Sequence, residues 1–224
     1  MATTRARIVD AAAHLLAAEG RDAVTTRAVA AAAGVQAPTL YRLFGDKRGL
    51  LDAVAEHGFR AYLDRKAVHP AADDPVDALR TGWDLHVDFG LSHPALYALM
   101  YGDPRPGDAF PAAVQAGRML RMHVRRVAEA GRLRIGEGQA VALFHAAACG
   151  TVFTLLGLVD RDPSLSPLAR EAALAAITVR TPAVAAPGPV GAAVALRAVL
   201  DDVAALTSGE QALMREWLDR VTAG

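Results

Sequence analysis

Residues 25–47 read TTRAVAAAAGVQAPTLYRLFGDK and predict two short helices joined by a tight turn. The first helix should cover 26–33 and end at Gly34, since glycine readily takes the left-handed conformation that ends a helix. The second should cover 37–44, with Pro38 in its first turn, where a missing N–H costs nothing. Its side chains are small, polar and aromatic instead of bulky and apolar. We therefore expect this second helix to contact something other than the protein core.

The spacing of these residues predicts a helix–turn–helix. In that unit one helix braces across the phosphate backbone and the next lies in the major groove, where each base pair shows a distinct pattern of donors and acceptors. It needs small residues where the helices cross (Ala30–Ala32), a glycine in the turn and apolar anchors on the inner faces. The anchors here are Val29, Val35 and Leu40. Thr25 precedes the first helix and can cap it.

The rest of the chain also favours helix. Alanine is abundant and strand formers are few, so we predict an all-α protein. The 224 residues suffice for one large or two small domains with a sizeable core. The predicted helices cover 4–18, 26–33, 37–44, 47–68, 76–91, 93–101, 108–131, 137–159, 168–179, 190–206 and 210–221.

Charge and cysteine content limit the classes of protein. The net charge is zero, but residues 1–50 hold seven basic and four acidic side chains, which leaves +3 there and −3 on the remainder. Basic charge on a small N-terminal segment suits a DNA-binding head. Cys149 is the only cysteine, so no internal disulfide can form. No apolar run reaches membrane-spanning length and the N-terminus lacks the apolar core of a signal peptide, so we expect a soluble cytoplasmic protein.

A family resemblance follows from the same residues. TTR (25–27), GV (34–35), PTLY (38–41), Lys47 and LL (50–51) resemble the DNA-binding head of the TetR family of bacterial repressors. The resemblance covers 5–55, about a quarter of the chain. It implies a homodimeric transcriptional repressor that a small apolar or amphipathic ligand releases from a near-palindromic operator. A co-repressor would reverse the ligand's effect.

The resemblance also implies DNA-binding roles for individual residues. It gives phosphate contacts to Thr26, Tyr41 and Lys47, and places at or near base edges to Arg27, Gln36, Ala37, Pro38 and Thr39. Arg42 lies on the same outward face of the second helix. Each has an alternative: Tyr41 could pack on the fourth helix, and Arg42 could simply be solvated.

Two positions depart from the family pattern. Ala37 stands where the namesake of the family carries a base-reading glutamine, so we expect a different operator sequence. Leu43 replaces a histidine often found before the phenylalanine, and we expect it to pack and to have no DNA role.

The domain division follows from the motif and the resemblance. We expect a DNA-binding domain over 1–47, a connecting helix over 48–68, and a helical ligand-binding and dimerisation domain over 69–224.

Aromatic, Met, His and Cys side chains are interleaved over 83–153. This is typical of an apolar cavity with a few polar groups. The predicted ligand-binding residues are Trp83, His86, Phe89, Tyr97, Met100, Tyr101, Met119, Met122, His123, His145, Cys149 and Phe153. For each of them ordinary core packing is the alternative. The histidines could also be metal ligands, but the sequence has no dense His, Cys and carboxylate cluster, so we predict no metal site.

The helices over 137–159, 190–206 and 210–221 are too apolar for one solvated surface. We expect them to supply a four-helix dimer interface, with two helices from each subunit, although core packing must account for some of them. The predicted interface residues are Val141, Phe144, Ala148, Val152, Leu155, Val194, Val203, Leu206, Leu213 and Trp217. A dimer also follows from the mode of reading, because a two-fold protein presents two recognition helices about one DNA turn apart.

Two other functions remain open. One is a ligand-binding or protein-interaction module that does not bind DNA. The other is an enzyme of the helical body, which the sequence does not favour. GEGQAV (136–141) lacks the preceding strand and third glycine of a dinucleotide site, and Ser92 beside His93 is not a triad. No phosphate loop or HExxH appears, so we expect neither an enzyme nor a cofactor.

Overall fold

A computed structural model describes residues 3–66, 73–102, 107, 109–179 and 188–223. These residues form eleven α-helices and a short 3-10 helix. The α-helices are α1 (Thr4–Glu19), α2 (Thr26–Ala33), α3 (Ala37–Phe44), α4 (Lys47–Lys66), α5 (Pro75–Ser92), α6 (Pro94–Tyr101), α7 (Pro111–Glu129), α8 (Glu137–Gly157), α9 (Leu165–Ile177), α10 (Gly188–Ala198) and α11 (Ser208–Ala223). The described residues contain no strand, only an isolated bridge between Leu133 and Thr178. The predicted all-α class is confirmed.

Most predicted helices lie within three residues of the observed bounds, and those over 26–33 and 37–44 agree at both ends. The predicted helix over 190–206 is the main difference. The observed helix, α10, ends at Ala198 and is followed by the 3-10 helix Leu200–Asp202. This break turns the chain so that Leu200 is fully buried, and α11 then returns along α10. Residues 67 and 68 of the predicted fourth helix, and residue 108 of the predicted helix over 108–131, lie outside the described residues.

The head is built from α1, α2 and α3, which close around buried Ile8, Val29 and Leu40. α4 packs against both α1 and α3 and continues into the body, where it meets α6 and α7. A built Cβ on Gly58 would lie 2.4 Å from Leu96 Cδ2, so α4 and α6 approach closely. The buried core runs without a break from the head to Ile177 in α9. The division at residue 47 therefore stays a prediction, because α4 belongs to both parts.

The body is centred on α5, which packs against α7, α8 and α9. Two ion pairs hold α5 to α9: Arg80 Nη2 lies 2.9 Å from Glu171 Oε2, and Arg170 Nη1 lies 2.7 Å from Asp84 Oδ1. α10 and α11 pack mainly on one another. This leaves much of the surface of Leu213 and Trp217 in α11 exposed.

Candidate DNA-binding surface and ligand cavity

Local hydrogen bonds fix the helix–turn–helix. The Thr25 side-chain oxygen accepts from the N–H of Ala28 at 3.1 Å, so Thr25 caps α2. Gly34 ends α2 in the left-handed region, with φ +63°, where any side chain would be strained. The N–H of Val35 then donates to the carbonyl of Ala30 at 3.0 Å, which closes the turn. These contacts set the angle at which α3 leaves the head.

Each helix of the unit has a buried inner side. Val29, Ala30 and Ala33 of α2 and Leu40 of α3 are buried, and the alanines at the crossing allow the helices to approach closely. With Leu40 turned inward, the opposite side of α3 faces away from the core. Burial of Val29 and Leu40 was predicted from the apolar spacing. Of the small residues predicted at the crossing (30–32), only Ala30 is buried.

All the residues predicted to bind DNA are at least partly accessible. Arg27, Gln36, Pro38, Tyr41, Arg42 and Lys47 are exposed, while Thr26, Ala37 and Thr39 are half-buried. Tyr41 has 53% of its surface exposed, so it does not pack into the core. Leu43 was expected to pack, yet 36% of its surface is exposed. The individual DNA contacts remain predictions.

Lys47 begins α4, next to this surface. Asp46 caps that helix, since its Oδ1 accepts from the N–H of Gly49 at 2.8 Å. The helix dipole disfavours a cation in a first turn. A phosphate beside the exposed N–H groups would remove that penalty, so the position suits a backbone contact.

A cavity of about 380 Å³ lies between α4, α5, α6, α7 and α8. Its wall is mainly aromatic and aliphatic, with three histidines and one arginine. The lining residues are Phe59, Tyr62, Leu63, Ala78, Leu79, Thr81, Gly82, Trp83, Leu85, His86, Phe89, Tyr101, Ala116, Gly117, Met119, Leu120, His123, Arg126, Phe144, His145 and Ala148. This combination of apolar wall and few polar groups is typical of small-molecule sites.

The cavity brings together seven of the twelve predicted ligand-binding residues: Trp83, His86, Phe89, Tyr101, Met119, His123 and His145. The other five lie outside its wall. Met122 is 61% exposed, and Phe153 is also exposed. Met100 is buried in the core, whereas Tyr97 and Cys149 contact His86 from outside the wall.

α4 supplies a part of the wall that was not predicted from the sequence. Phe59, Tyr62 and Leu63 line the cavity, although α4 was assigned to connecting the domains. Tyr62 and Leu63 follow Phe59 by one helical turn, and this spacing was the available signal. Phe144 and Ala148 also line the cavity, whereas they were predicted for the dimer interface.

The polar groups of the wall are held in a hydrogen-bonded cluster. His86 Nε2 lies 2.8 Å from the hydroxyl of Tyr97, and the sulfur of Cys149 lies 3.8 Å from the same nitrogen. Cys149 also contacts His145, with Sγ 3.6 Å from Nε2. The rings of His86, Tyr101 and His145 pack with centroids 5.6 to 6.1 Å apart.

Burial keeps this cluster uncharged. Desolvation, with a smaller contribution from neighbouring His145, lowers the pKa of His86 to about 4. Burial lowers the pKa of His145 as well, and raises the pKa of the Tyr97, Tyr101 and Cys149 groups. At neutral pH all five side chains are therefore neutral.

His123, on α7, faces the same cavity from another side. Its pKa is lowered by burial and then by the charge of Arg126. Its Nδ1 atom is buried and has no hydrogen-bond partner among the described residues. Those residues also contain no group of three His, Cys, Asp or Glu side chains placed to hold a metal ion.

α8 has two different sides, and the predicted interface stripe lies on the inner one. Phe144, Ala148, Val152 and Leu155 are buried within the subunit and Val141 is half-buried. These four buried side chains have little surface to offer a second copy, which corrects their assignment to a dimer interface. The rest of that predicted set lies in the C-terminal pair: Leu213 and Trp217 are exposed, Val203 and Leu206 are half-buried, and the side chain of Val194 is outside the described residues.

The outer side of α8 is exposed and carries no charge from residue 138 to 157. Leu143 and Phe153 are 43% and 39% exposed. Between them lie small residues, including Ala146 and Gly150. α8 is also the one described helix long and apolar enough to cross a membrane, a test that core helices of soluble proteins pass too. α8 packs on α5, α7 and α9, and its outer side is the more exposed one among the described residues.

Comparison with known proteins finds sequence similarity in the head. Residues 8–54 match the family model of the bacterial regulatory proteins of the tetR family. The chain is 46% identical over 69 residues to the class A tetracycline repressor protein from transposon 1721 of Escherichia coli. This match spans 30% of each chain, less than a third of that repressor.

Solved structures extend the likeness into the body. RolR in complex with its ligand resorcinol superposes with a TM-score of 0.61 at 24% identity, over 79% of this chain and 88% of that one. A TetR-family transcriptional regulator from Haemophilus influenzae Rd gives 0.57 at 20% identity, over 79% and 97%. At these identities the likeness concerns the fold.

The head and the body together define the class of protein: a helix–turn–helix unit joined by one long helix to a helical body that encloses a cavity. Residues 8–54 match the TetR family model, and the described helices share the fold of a solved TetR-family regulator.

Proposed function

We propose that the protein is a homodimeric transcriptional repressor that binds a near-palindromic operator and leaves it when a small molecule fills the cavity. One observation carries this proposal: α4 takes part in both sites. Its first residue, Lys47, adjoins the outward face of α3, and its Phe59 and Tyr62 line the cavity. A ligand that displaces these rings would act on the helix that supports the head.

Selection from random duplex DNA tests the DNA-binding part. Because a two-fold dimer presents two α3 helices, the enriched sequence should contain two inverted half-sites about one helical turn apart, or a near multiple. An enriched sequence with a single half-site would contradict the dimer, and no enrichment at low salt would contradict DNA binding.

The cavity part is supported by its size and lining, and by the likeness in fold to RolR, which is solved with resorcinol. Gly82 offers a sharp test, because it lines the cavity and a built Cβ there meets nothing within 4 Å. Gly82→Leu should fill the cavity without displacing its neighbours. We expect DNA binding that no longer responds to the ligand. Gly209→Leu, at an equally open glycine in α11, is the matched control.

For the dimer we propose the outer side of α8 together with the exposed residues of α9. Leu168, Ala172 and Ala175 of α9 are exposed and apolar, and α9 packs beside α8. Two such helices from each subunit would form a four-helix contact, with Ala146 and Gly150 allowing a close approach. Leu213 and Trp217 of α11 would extend it.

No catalytic role is proposed, and the cytoplasm is the compartment expected for a bacterial DNA-binding protein. The alternative is a helical module that binds a protein through the head. That function predicts weak dependence on salt, whereas each lost phosphate contact should change the salt slope for DNA by about 0.9.

A further inference from the structure

We propose that the cavity takes a neutral, flat aromatic compound that carries at least one hydroxyl group. This inference rests on the proposed function, because it names the chemical class of the ligand for the same cavity. Three properties of the wall carry it: the absence of a buried charge, the number of aromatic rings, and an imidazole atom without a partner.

The wall argues against a charged ligand. Of the described residues that line the cavity, none is Asp or Glu, and Arg126 is the only Arg or Lys. Arg126 is exposed, so an anion that paired with it would lie in solvent, where ion pairs contribute little. A carboxylate placed deeper would lose its hydration without gaining a partner charge. A cation would find aromatic faces but no carboxylate.

The wall favours a flat ring. Phe59, Tyr62, Trp83, Phe89, Tyr101 and Phe144 present aromatic rings to the cavity, and they come from α4, α5, α6 and α8. Aromatic pairs in offset or edge-to-face contact are more stable than burial of the same area alone would make them. Trp83 and Phe144 already meet edge to face, with centroids 5.2 Å apart. A planar ligand can continue this packing, whereas a puckered aliphatic ring of equal size cannot.

The imidazoles of the wall favour a ligand that carries a hydroxyl group. His123 Nδ1 is buried without a partner among the described residues, and a buried polar atom in that state costs stability. His145 has the Cys149 sulfur as its nearest polar contact, a weak partner at 3.6 Å. A neutral imidazole nitrogen either donates or accepts, depending on its tautomer. A hydroxyl group does both, so it can satisfy His123 in either tautomer.

Four related probes separate these properties in isothermal titration against the full chain. 2-Naphthol has the ring and the hydroxyl, naphthalene lacks the hydroxyl, decahydro-2-naphthol lacks the aromatic ring, and 2-naphthoate carries a charge. We expect 2-naphthol to bind about three- to tenfold tighter than naphthalene, which is the net effect of one hydrogen bond. It should also bind tighter than the saturated alcohol, and at least tenfold tighter than naphthoate.

Substitution of His123 tests the hydrogen bond itself. His123→Phe keeps a ring but removes Nδ1, so the preference for 2-naphthol over naphthalene should vanish. His123→Asn restores a polar atom near the same place and should restore the preference. His57→Phe, at an exposed histidine of α4 outside the cavity wall, should leave the ranking unchanged.

Equal affinity for naphthol and naphthalene, or tightest binding of naphthoate, would overturn the proposed ligand class. An unchanged preference in His123→Phe would overturn the role of that residue. Binding to the DNA upstream of the gene, measured on the same sample, separates this failure from that of the repressor. If the protein binds that DNA but ranks the probes differently, only the proposed ligand class is contradicted. If the probes rank as expected but the protein does not bind that DNA, only the proposed repressor function is contradicted.

Discussion

The guanidinium group of Arg48 lies over the ring of Phe110, with its Cζ atom 4.0 Å from the ring centroid. Arg48 follows Lys47 in the first turn of α4, beside the predicted DNA surface. Phe110 immediately precedes α7, which supplies part of the cavity wall. One cation–π contact therefore joins the DNA-facing end of α4 to a helix of the cavity. Such contacts contribute about 0.5 to 2 kcal/mol, depending on burial.

Replacing the ring of Phe110 should weaken the coupling between the two sites. Phe110→Leu keeps an apolar side chain at this buried position but removes the aromatic face. We expect the ligand to lower DNA affinity less than in the wild type, while its affinity for the free protein changes little. The coupling factor can be measured from either side, because ligand and DNA must affect one another equally. Val114→Ala, at an exposed residue of α7, is the control. An unchanged coupling factor in Phe110→Leu would show that this contact does not couple the two sites.

The predicted phosphate contact of Lys47 can be measured through salt. Lys47→Ala should reduce the slope of log affinity against log salt concentration by about 0.9, because one fewer counterion is released on binding. Arg125→Ala removes a positive charge from α7 in the body, where Arg125 pairs with Glu129, and should leave the slope unchanged. Equal slopes for wild type and Lys47→Ala would show that this residue does not contact a phosphate.

The proposed dimer contact predicts a subunit that folds but does not pair. A built Cβ at Gly150 meets nothing within 4 Å, so Gly150→Glu is tolerated within the chain. In a close helix–helix contact the same side chain would clash and bury a charge. Analytical ultracentrifugation should find mainly monomer, with the helical content and melting temperature of the wild-type subunit. Met122→Glu adds the same charge at an exposed position of α7, and this variant should remain a dimer. A dimeric Gly150→Glu would exclude the outer side of α8 as the interface.

Acid should destabilise the fold through His86. Its pKa is lowered from 6.5 to about 4 by burial, so between these values the unfolded chain binds a proton that the folded protein does not. The stabilisation is complete above pH 6.5 and is lost as the pH falls toward 4, by at most about 3 kcal/mol. His86→Phe should flatten the dependence of the free energy of unfolding on pH in urea titrations. His57→Phe, at an exposed histidine, should not. An equally steep dependence in His86→Phe would assign the effect to other groups.

The head could be predicted closely from the sequence because its signals are local. A threonine cap, a glycine after α2 and a proline at the start of α3 each act within a few residues, and the two helices agree with their predicted bounds. The outward face of α3 follows from the same spacing, since burial of Leu40 decides which side of a short helix points away.

The cavity could be predicted only in part because its wall is assembled from distant helices. His86, His123 and His145 were found by residue type, but Phe59 and Tyr62 were not. Their role depends on how α4 crosses α5 and α7, and tertiary packing alone sets that.

The interface stripe on α8 shows a further limit of sequence patterns. This helix is apolar on every side, so its sequence does not distinguish the side that faces α5 from the side that faces outward. Phe144 and Val152 lie on the inner side, and Leu143 and Phe153 on the outer. Only the positions of α5 and α9 separate the two.

The central claim is that the outward face of α3 reads DNA, and one competition measurement tests it most directly. The protein is bound to a labelled duplex from the region upstream of the gene. An unlabelled competitor is then added, once the same duplex and once a scrambled duplex of equal length. The account predicts at least about a thousandfold preference for the upstream duplex in the wild type. It also predicts that Gln36→Ala, on the exposed start of α3, reduces that preference by about 1–3 kcal/mol while binding to the scrambled duplex is unchanged. Equal affinity of the wild type for the two duplexes, or no binding at low salt, would contradict it.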